Sequence, residues 1–293
     1  MTALQLLVSG LLLGGAYALI AMGLTLIFGV MRLINFSQGE FVTLGMYGAV
    51  GVTTAWGASP YLSLVVVIPA AILVGLLLER TIFRRIGSAP HAMQMLVTFG
   101  LSIALQNAML LLFGGDYRSV GKSIAEDTIR IGEISIGVGQ LVAFAGCLVA
   151  GAGILAFLKY TQTGKALRAI QQNRYAIRLM GVNVGRLFSL TFAFGICLAA
   201  IAGVLLAPNY FISPTVGGGL VYTGFIVVVL GGMGSVPGAL LGGALIGLTE
   251  SFSGFFLPGG LKDSISLLVF LVVLLAWPAG LLGQRGSEEV GFK

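Results

Sequence analysis

His91 is the single histidine of the chain, and neither a carboxylate nor a thiol lies near it in sequence. A catalytic or metal-binding imidazole works with such partners, so His91 reads as a loop residue without chemistry. Cys147 and Cys197 sit inside apolar runs with no CxxC spacing. They read as small buried hydrophobes, with neither a disulfide nor a metal implied. The stretch GGDYRSVGKS at 114–123 comes close to a phosphate-binding loop, but Asp116 stands where its first glycine must be and would repel phosphate. The stretch GMGSVP at 232–237 fails the dinucleotide fingerprint, because Pro237 replaces its last glycine. Paired NPA motifs of a water channel are absent. The chain has no catalytic constellation and does not hydrolyse ATP itself.

The remaining candidates are polar residues set in apolar surroundings. Asn35, Ser37, Gln38 and Glu40 fall in INFSQGE at 34–40, and Gly232 and Ser235 fall in GGMGSVPG at 231–238. Glu250 stands late in an apolar run, with Asp263 at the start of the next. Counted from Pro237 at 1.5 Å per residue, Glu250 lies about 20 Å into a hydrocarbon core about 30 Å thick. Ionised and facing lipid it would cost about 2.5–3.5 kcal/mol. It is therefore expected to face the protein interior, in solute contact or in structural pairing. Glu40 reads equally as a pathway residue and as the acidic start of a helix near the cytoplasm.

The elements that must position these residues follow from composition. Hydrophobic residues make up 57% of the 293 and charged residues only 9%, against about 25% charged in a soluble domain. A soluble enzyme, a secreted disulfide scaffold and a disordered chain are excluded. Apolar segments run at about 5–30, 41–56, 61–78, 93–113, 139–158, 187–207, 220–231, 237–257 and 264–283. The expected fold is an all-α polytopic membrane protein of about eight to nine transmembrane helices, one transmembrane domain over residues 1–293. The seventh segment is too short to span alone and the second is marginal. Both adjoin the polar breaks at 34–40 and 231–238. Irregular backbone at membrane depth survives only where protein or a water-filled cavity satisfies it, so broken or re-entrant helices and a solute pathway are expected there. Residues 1–31 lack a basic n-region and read as a retained first helix rather than a signal peptide. Gly10-xxx-Gly14, Gly238-xxx-Gly242 and Gly243-xxx-Gly247 predict close helix packing within the chain.

Lys and Arg counts set the orientation. Residues 80–92 hold Arg80, Arg84 and Arg85, and residues 159–186 hold Lys159, Lys165, Arg168, Arg174, Arg178 and Arg186 with no acid. The 114–138 loop mixes both signs. The first two therefore face the cytoplasm and 114–138 faces outward. Arg32, Arg285 and Lys293 then fall inside, giving twelve of sixteen basic residues on that side. The net charge of +6 is spent on topology, with no sign of nucleic-acid binding. Trp56 and Trp277 lie near predicted helix ends, as interfacial residues do.

Residues 164–179 contain no internal Pro or Gly, and Gly181 sits where a helix stop would. Lys165, Arg168, Gln172 and Tyr175 share one polar stripe, and Ala169, Ala176, Leu179 and Met180 an apolar one. Such a basic cytoplasmic helix suits either anionic lipid headgroups or a protein groove.

Three blocks decide between these. INFSQGEFVTLGMYGA after GLTLIFGVMR, then GKALRAIQQNRYAIRLMGVNVGRLFSLTFAFGICLAAIAGVL at 164–205, then VVVLGGMGSVPGALLGGALIGLTE at 227–250, resemble the permeases of branched-chain amino-acid ABC transporters in order and over essentially the whole chain. The resemblance implies a bacterial inner-membrane, multi-pass permease that carries branched-chain amino acids or similar small polar solutes by alternating access. It implies no cofactor of its own: ATP is bound by two partner ATPase subunits, beside a second related permease and a periplasmic substrate-binding protein. The cytoplasmic coupling loop of such permeases would be 159–186 here, with Ala176 and Gly181 fitting the EAA-type pattern and Tyr175 and Ile177 departing from it. Lys165, Arg168, Arg174, Ala176, Arg178 and Gly181 are the expected ATPase contacts. The expected substrate pathway comprises Asn35, Ser37, Gln38, Glu40, Gly232, Ser235 and Glu250. A secondary transporter or channel working without ATPases is the rival reading, separated by whether neighbouring genes encode ATPases.

Overall fold

Helix α1 (Thr2–Met31) carries no charged residue, and its middle and C-terminal parts are buried on nearly every side. At about 45 Å it exceeds the hydrocarbon thickness, and the other elements pack around it. The structure, a computed structural model, describes residues 2–87, 89–120, 128–131, 134–257 and 262–283. Helix α11 (Val236–Phe256) lies antiparallel against α1, with Gly10 facing Gly247 and Gly14 facing Gly243. A Cβ on Gly14 would stand 2.6 Å from the Gly243 carbonyl oxygen. The glycine spacings thus serve contacts within the chain, as expected.

A second buried helix, α9 (Val184–Leu206), is crossed by α2 (Gln38–Trp56), where Gly45 meets Ala200 and Gly203 meets Val42. The 3₁₀ turn Pro60–Ser63 leads into α3 (Leu64–Leu78), a π-helical segment Glu79–Phe83 and α4 (Arg84–Ile86). Arg80, Arg84 and Arg85 therefore extend a helix rather than forming the expected loop. The cause is Glu79, which is buried against α9 and accepts a hydrogen bond from Ser189 Oγ. The outer layer comprises α5 (His91–Phe113), α6 (Val138–Tyr160), α10 (Val216–Gly231) and α12 (Lys262–Ala276). A hairpin of β1 (Thr128–Ile131) and β2 (Ile134–Gly137) stands before α6, Thr128 opposite Gly137. Between α6 and α9 lie two short helices, α7 (Gln162–Gln172) and α8 (Arg174–Leu179).

Among the described residues, six helical stretches are long and apolar enough to cross a bilayer: Ala3–Met31, Pro60–Ile86, His91–Phe113, Val138–Tyr160, Val184–Asn209 and Val236–Phe256. Shorter apolar helices occupy Val216–Gly231 and Ser264–Ala276. The chain is an all-α polytopic membrane protein. Trp56 and Trp277 are exposed at the ends of α2 and α12, and Cys147 and Cys197 are buried free thiols. Lys122, Glu126, Asp127 and Glu133 of the outward loop, and Arg285 and Lys293, lie outside the described residues.

Candidate functional site

The polar break at 34–40 is a re-entrant start of α2. After α1 the chain turns at Arg32, the only non-glycine residue with positive φ (54°) among those described. It then climbs back until Gln38 Nε2 donates to the Gly195 carbonyl of α9 at 2.8 Å. A Cβ on Gly23 would touch both of those atoms at 2.7 Å. Gly23 precedes the end of α1 by about 12 Å, and Gly195 follows the start of α9 by about 16 Å. Helix α2 thus begins near mid-depth. Ser37 Oγ donates to Asn35 Oδ1 at 2.7 Å and Asn35 Nδ2 to Gln38 Oε1 at 3.1 Å. Asn35, Ser37 and Gln38 so satisfy one another in a knot buried on all sides.

Glu40, next on α2, is different. It is 3% exposed, and its Oε1 accepts from Ser102 Oγ of α5 at 2.9 Å. Its Oε2 is buried with no hydrogen-bond partner among the described residues. Thr98, one turn before Ser102, bonds the Ile34 carbonyl at 3.2 Å. Phe36 packs edge-on to Phe99 at 6.3 Å and against Phe225 of α10 at 5.1 Å. The first turns of α2 and α10 abut at Gly39 and Gly217, bringing two positive helix ends beside Glu40.

The other residues singled out from the sequence lie elsewhere. Gly232 and Ser235 form the α10–α11 turn: Gly232 and Gly234 have φ of 101° and 89°, and Ser235 Oγ accepts from Gly238 N at 3.1 Å. The Leu281 and Leu282 amides donate to the Leu230 and Gly231 carbonyls at 2.8 and 3.0 Å. This turn sits beside the C-terminal end of α1 and under α7, where Gly29 packs between Gln171 and Gly234. It is about 22 Å along α10 from Gly217. Glu250 is half-buried near the other end of α1 and shares hydrogen-bonding interactions with Tyr17, which also engages Tyr210. It faces protein, as its depth required. Glu250→Leu is expected to lower stability by about 1–3 kcal/mol by removing the acceptor for a buried phenol, and Glu250→Gln by clearly less. Thermal unfolding of the two variants in detergent measures this.

The cytoplasmic element differs in detail from one helix over 164–179. Asn173 ends α7, and its Oδ1 accepts from the amides of Tyr175 and Ala176, both at 3.0 Å, to start α8. Thr161 caps α7 through Gly164 N at 2.9 Å, Gly181 takes a φ of 75°, and Asn183 caps α9 through Arg186 N at 3.1 Å. The break changes the helical register, so the buried stripe is Leu167, Ile170 and Ile177. Leu179 and Met180, of the apolar stripe read from the sequence, are 73% and 77% exposed. Lys165, Arg168, Ala176 and Gly181 are exposed as well, while the side chains of Arg174 and Arg178 lie outside the description.

Sequence reasoning missed Glu79 with Ser189, Tyr17 with Tyr210, and the Thr98/Ser102 face of α5. It also missed a cleft of about 180 Å³ lined by Gln106, Asn107, Leu110, Gly115, Tyr117, Ser213, Pro214 and Thr215. Gly114–Val120 of the loop-like stretch bends at Gly115 and Asp116 and bridges Ile212 through Arg118, and residues 121–123 lie outside the description. Among the described residues no cluster of His, Cys, Asp or Glu could hold a metal.

Buried apolar helices broken by a polar turn beside a carboxylate, with a capped basic element at one end, define a multi-pass membrane protein. Residues 6–276 match the family described as branched-chain amino acid transport system / permease component, and the chain belongs to that family. It is 33% identical to the high-affinity branched-chain amino acid transport system permease protein LivH of Escherichia coli (strain K12), over 98% of this chain and 97% of that one. It is also 33% identical to the corresponding permease protein BraD of Pseudomonas aeruginosa, over 98% of each. A probable branched-chain amino acid transport permease of Methanocaldococcus jannaschii is 27% identical over 90% of this chain and 88% of its own. By name these relatives are permease proteins of branched-chain amino acid transport.

Proposed function

We propose that this chain is the transmembrane subunit of an ATP-binding cassette importer of the bacterial inner membrane, carrying branched-chain amino acids or similar small polar solutes. In this reading it crosses the bilayer eight to nine times as one permease domain over residues 1–293. It pairs with a second related permease, takes solute from a periplasmic binding protein, and is driven by two ATPase subunits that bind the ATP. The α7–α8 element carries the reading. It is anchored to the core by Leu167, Ile170 and Ile177 while Tyr175, Leu179, Met180, Lys165 and Arg168 stand exposed. Exposed apolar side chains on an element that also presents Lys165 and Arg168 fit a protein groove with an acidic rim better than water. Arg174, Ala176, Arg178 and Gly181 complete that contact.

Closure of the ATPases on ATP would draw α7–α8 with them. The pull reaches α9 directly through the Asn183 cap, and reaches α1 and the Gly232–Ser235 turn through Gln171. Transport follows as a shift between outward- and inward-open states, for which ATP and solute must bind the two states differently. Asn35, Ser37 and Gln38 shape the break in the pathway, and Glu40 and Glu250 are its charged stations.

The test is reconstitution of the chain with the permease, ATPases and binding protein encoded beside it. Uptake of radiolabelled leucine into proteoliposomes is expected only with ATP and the binding protein. Uptake by the permease alone, driven by an ion gradient, would establish the secondary-transporter reading instead.

A further inference from the structure

Glu40 and the outer cleft lie on one face of α5. Phe99, Ser102, Gln106 and Leu110 follow at steps of three and four residues and so share a stripe. Gln106 and Leu110 line the cleft. Ser102, one helical turn below Gln106, donates to Glu40 Oε1 at 2.9 Å. The cleft thus ends one turn of α5 from the residue that holds the carboxylate, which is itself covered.

The chemistry that fits its end is one-sided. A buried acceptor left unfilled costs about 1–3 kcal/mol, and more if charged. Glu40 Oε2 is such an acceptor, and no neighbour in the break has a donor aimed at it. The amides of Gln38 and Asn35 are committed to Gly195 and to each other, and the Ser37 hydroxyl to Asn35. A solute bearing an N–H donor, best a cationic one, completes the site, and an anion does not. Beside it Phe36, Phe99 and Phe225 form a partly exposed aromatic wall. Opposite, α10 begins Val216-Gly217-Gly218-Gly219, and a Cβ on Gly218 or Gly219 would meet nothing within 4 Å. That open first turn offers backbone amides and the positive helix end to a carboxylate.

We propose that a site between this cleft and the break at 34–40, covered here by α5, receives an amino acid as a zwitterion: Glu40 Oε2 accepts a hydrogen bond from its α-ammonium, Phe36, Phe99 and Phe225 pack its aliphatic side chain, and the first turn of α10 faces its carboxylate. This rests on the importer reading above. Access comes from α5, which buries only Gln94, Thr98 and Met109, so a small displacement of α5 uncovers Glu40 without opening the α1–α9–α11 core. A single ammonium contact suits a transit site, which must release its solute as well as hold it.

The experiment uses the complete reconstituted complex turning over with ATP and binding protein in the presence of photo-leucine, whose side chain carries a diazirine. After irradiation, labelled residues are mapped by mass spectrometry. Labelling is expected at Phe36, Phe99 or Phe225. Glu40→Gln keeps the side-chain volume and the Ser102 bond, and is expected to reduce both labelling and leucine uptake at least tenfold at equal complex yield. Glu40→Asp is expected to recover part of each. Phe99→Ala, outside the buried knot, is expected to lower labelling at Phe36 and Phe225 at least fivefold. Uptake that falls in Glu40→Gln while labelling stays at the wild-type level makes Glu40 merely structural and overturns the proposal. Wild-type uptake and labelling in Glu40→Gln overturn it too, while leaving the importer reading intact. A wild-type complex without ATP-driven leucine uptake removes that reading and the zwitterion site together.

Discussion

Replacing Leu179 and Met180 together by aspartate is expected to abolish ATP-driven leucine uptake, by at least a hundredfold, with the yield of folded permease unchanged. Both side chains are more than seven-tenths exposed, and Tyr175 beside them is 71% exposed. Surface substitutions of this kind shift stability by no more than about 0.5 kcal/mol. The core contacts of the element are made by Leu167, Ile170 and Ile177, which the variant leaves in place. In an ATPase groove the same two residues would be buried, and two carboxylates would be desolvated without partners. The ATPase subunits should therefore no longer co-purify. Arg174→Glu with Arg178→Glu is expected to give the same loss through charge reversal. Normal uptake and co-purification in either double variant would remove the docking assignment.

Gly243→Leu is expected to eliminate folded protein altogether. A Cβ there would meet the Gly14 carbonyl oxygen at 2.6 Å and the Ala18 Cβ at 2.7 Å. These are backbone and short side-chain atoms of α1, which cannot swing aside. Overpacking of a tight core costs about 1–3 kcal/mol and occasionally more, and here it wedges apart the two helices that hold the bundle together. Gly254→Ala on the same helix has nothing within 4 Å of the added carbon and is expected to be neutral or slightly stabilising. Size-exclusion profiles of the two variants in detergent separate the cases: a monodisperse peak for Gly243→Leu would mean that α1 and α11 are less closely packed than described.

The helical membrane fold was readable from composition, because so few charges cannot wet a soluble surface. Close helix packing within the chain was readable from the spacing of Gly10, Gly14, Gly243 and Gly247, since only small residues permit backbones to approach so closely, but that α1 and α11 are the helices that meet was not. Depth was not. INFSQGE reads equally as a break at membrane depth and as a helix start near the cytoplasm, and the bond from Gln38 to Gly195, 157 residues away, is what favours the first. Spacing alone could not say which polar groups there are spent on one another and which retain capacity. Asn35, Ser37 and Gln38 belong to the first kind and Glu40 to the second. The single helix read over 164–179 is two, because Asn173, an unremarkable polar residue in a helical run, caps a new helix and resets the register. Glu79 was hidden by its place just before three arginines, where it looked like part of a solvated loop. The outer cleft joins α5 to residues 213–215, a juxtaposition no local pattern encodes.

The bond between Gln38 and Gly195 also sets a clock on the birth of the protein. Chains emerge from the ribosome at about 5–20 residues per second, so the acceptor on α9 is made roughly 8–30 s after the donor on α2. Throughout that interval Gln38, at the polar start of α2, lacks the backbone acceptor that its amide nitrogen docks on. The segment must wait at the interface or in the insertion machinery until α9 arrives, so α2 settles after helices that follow it in the chain. A truncation ending before residue 184 should therefore leave α2 open to water-soluble labelling reagents that the full-length protein excludes.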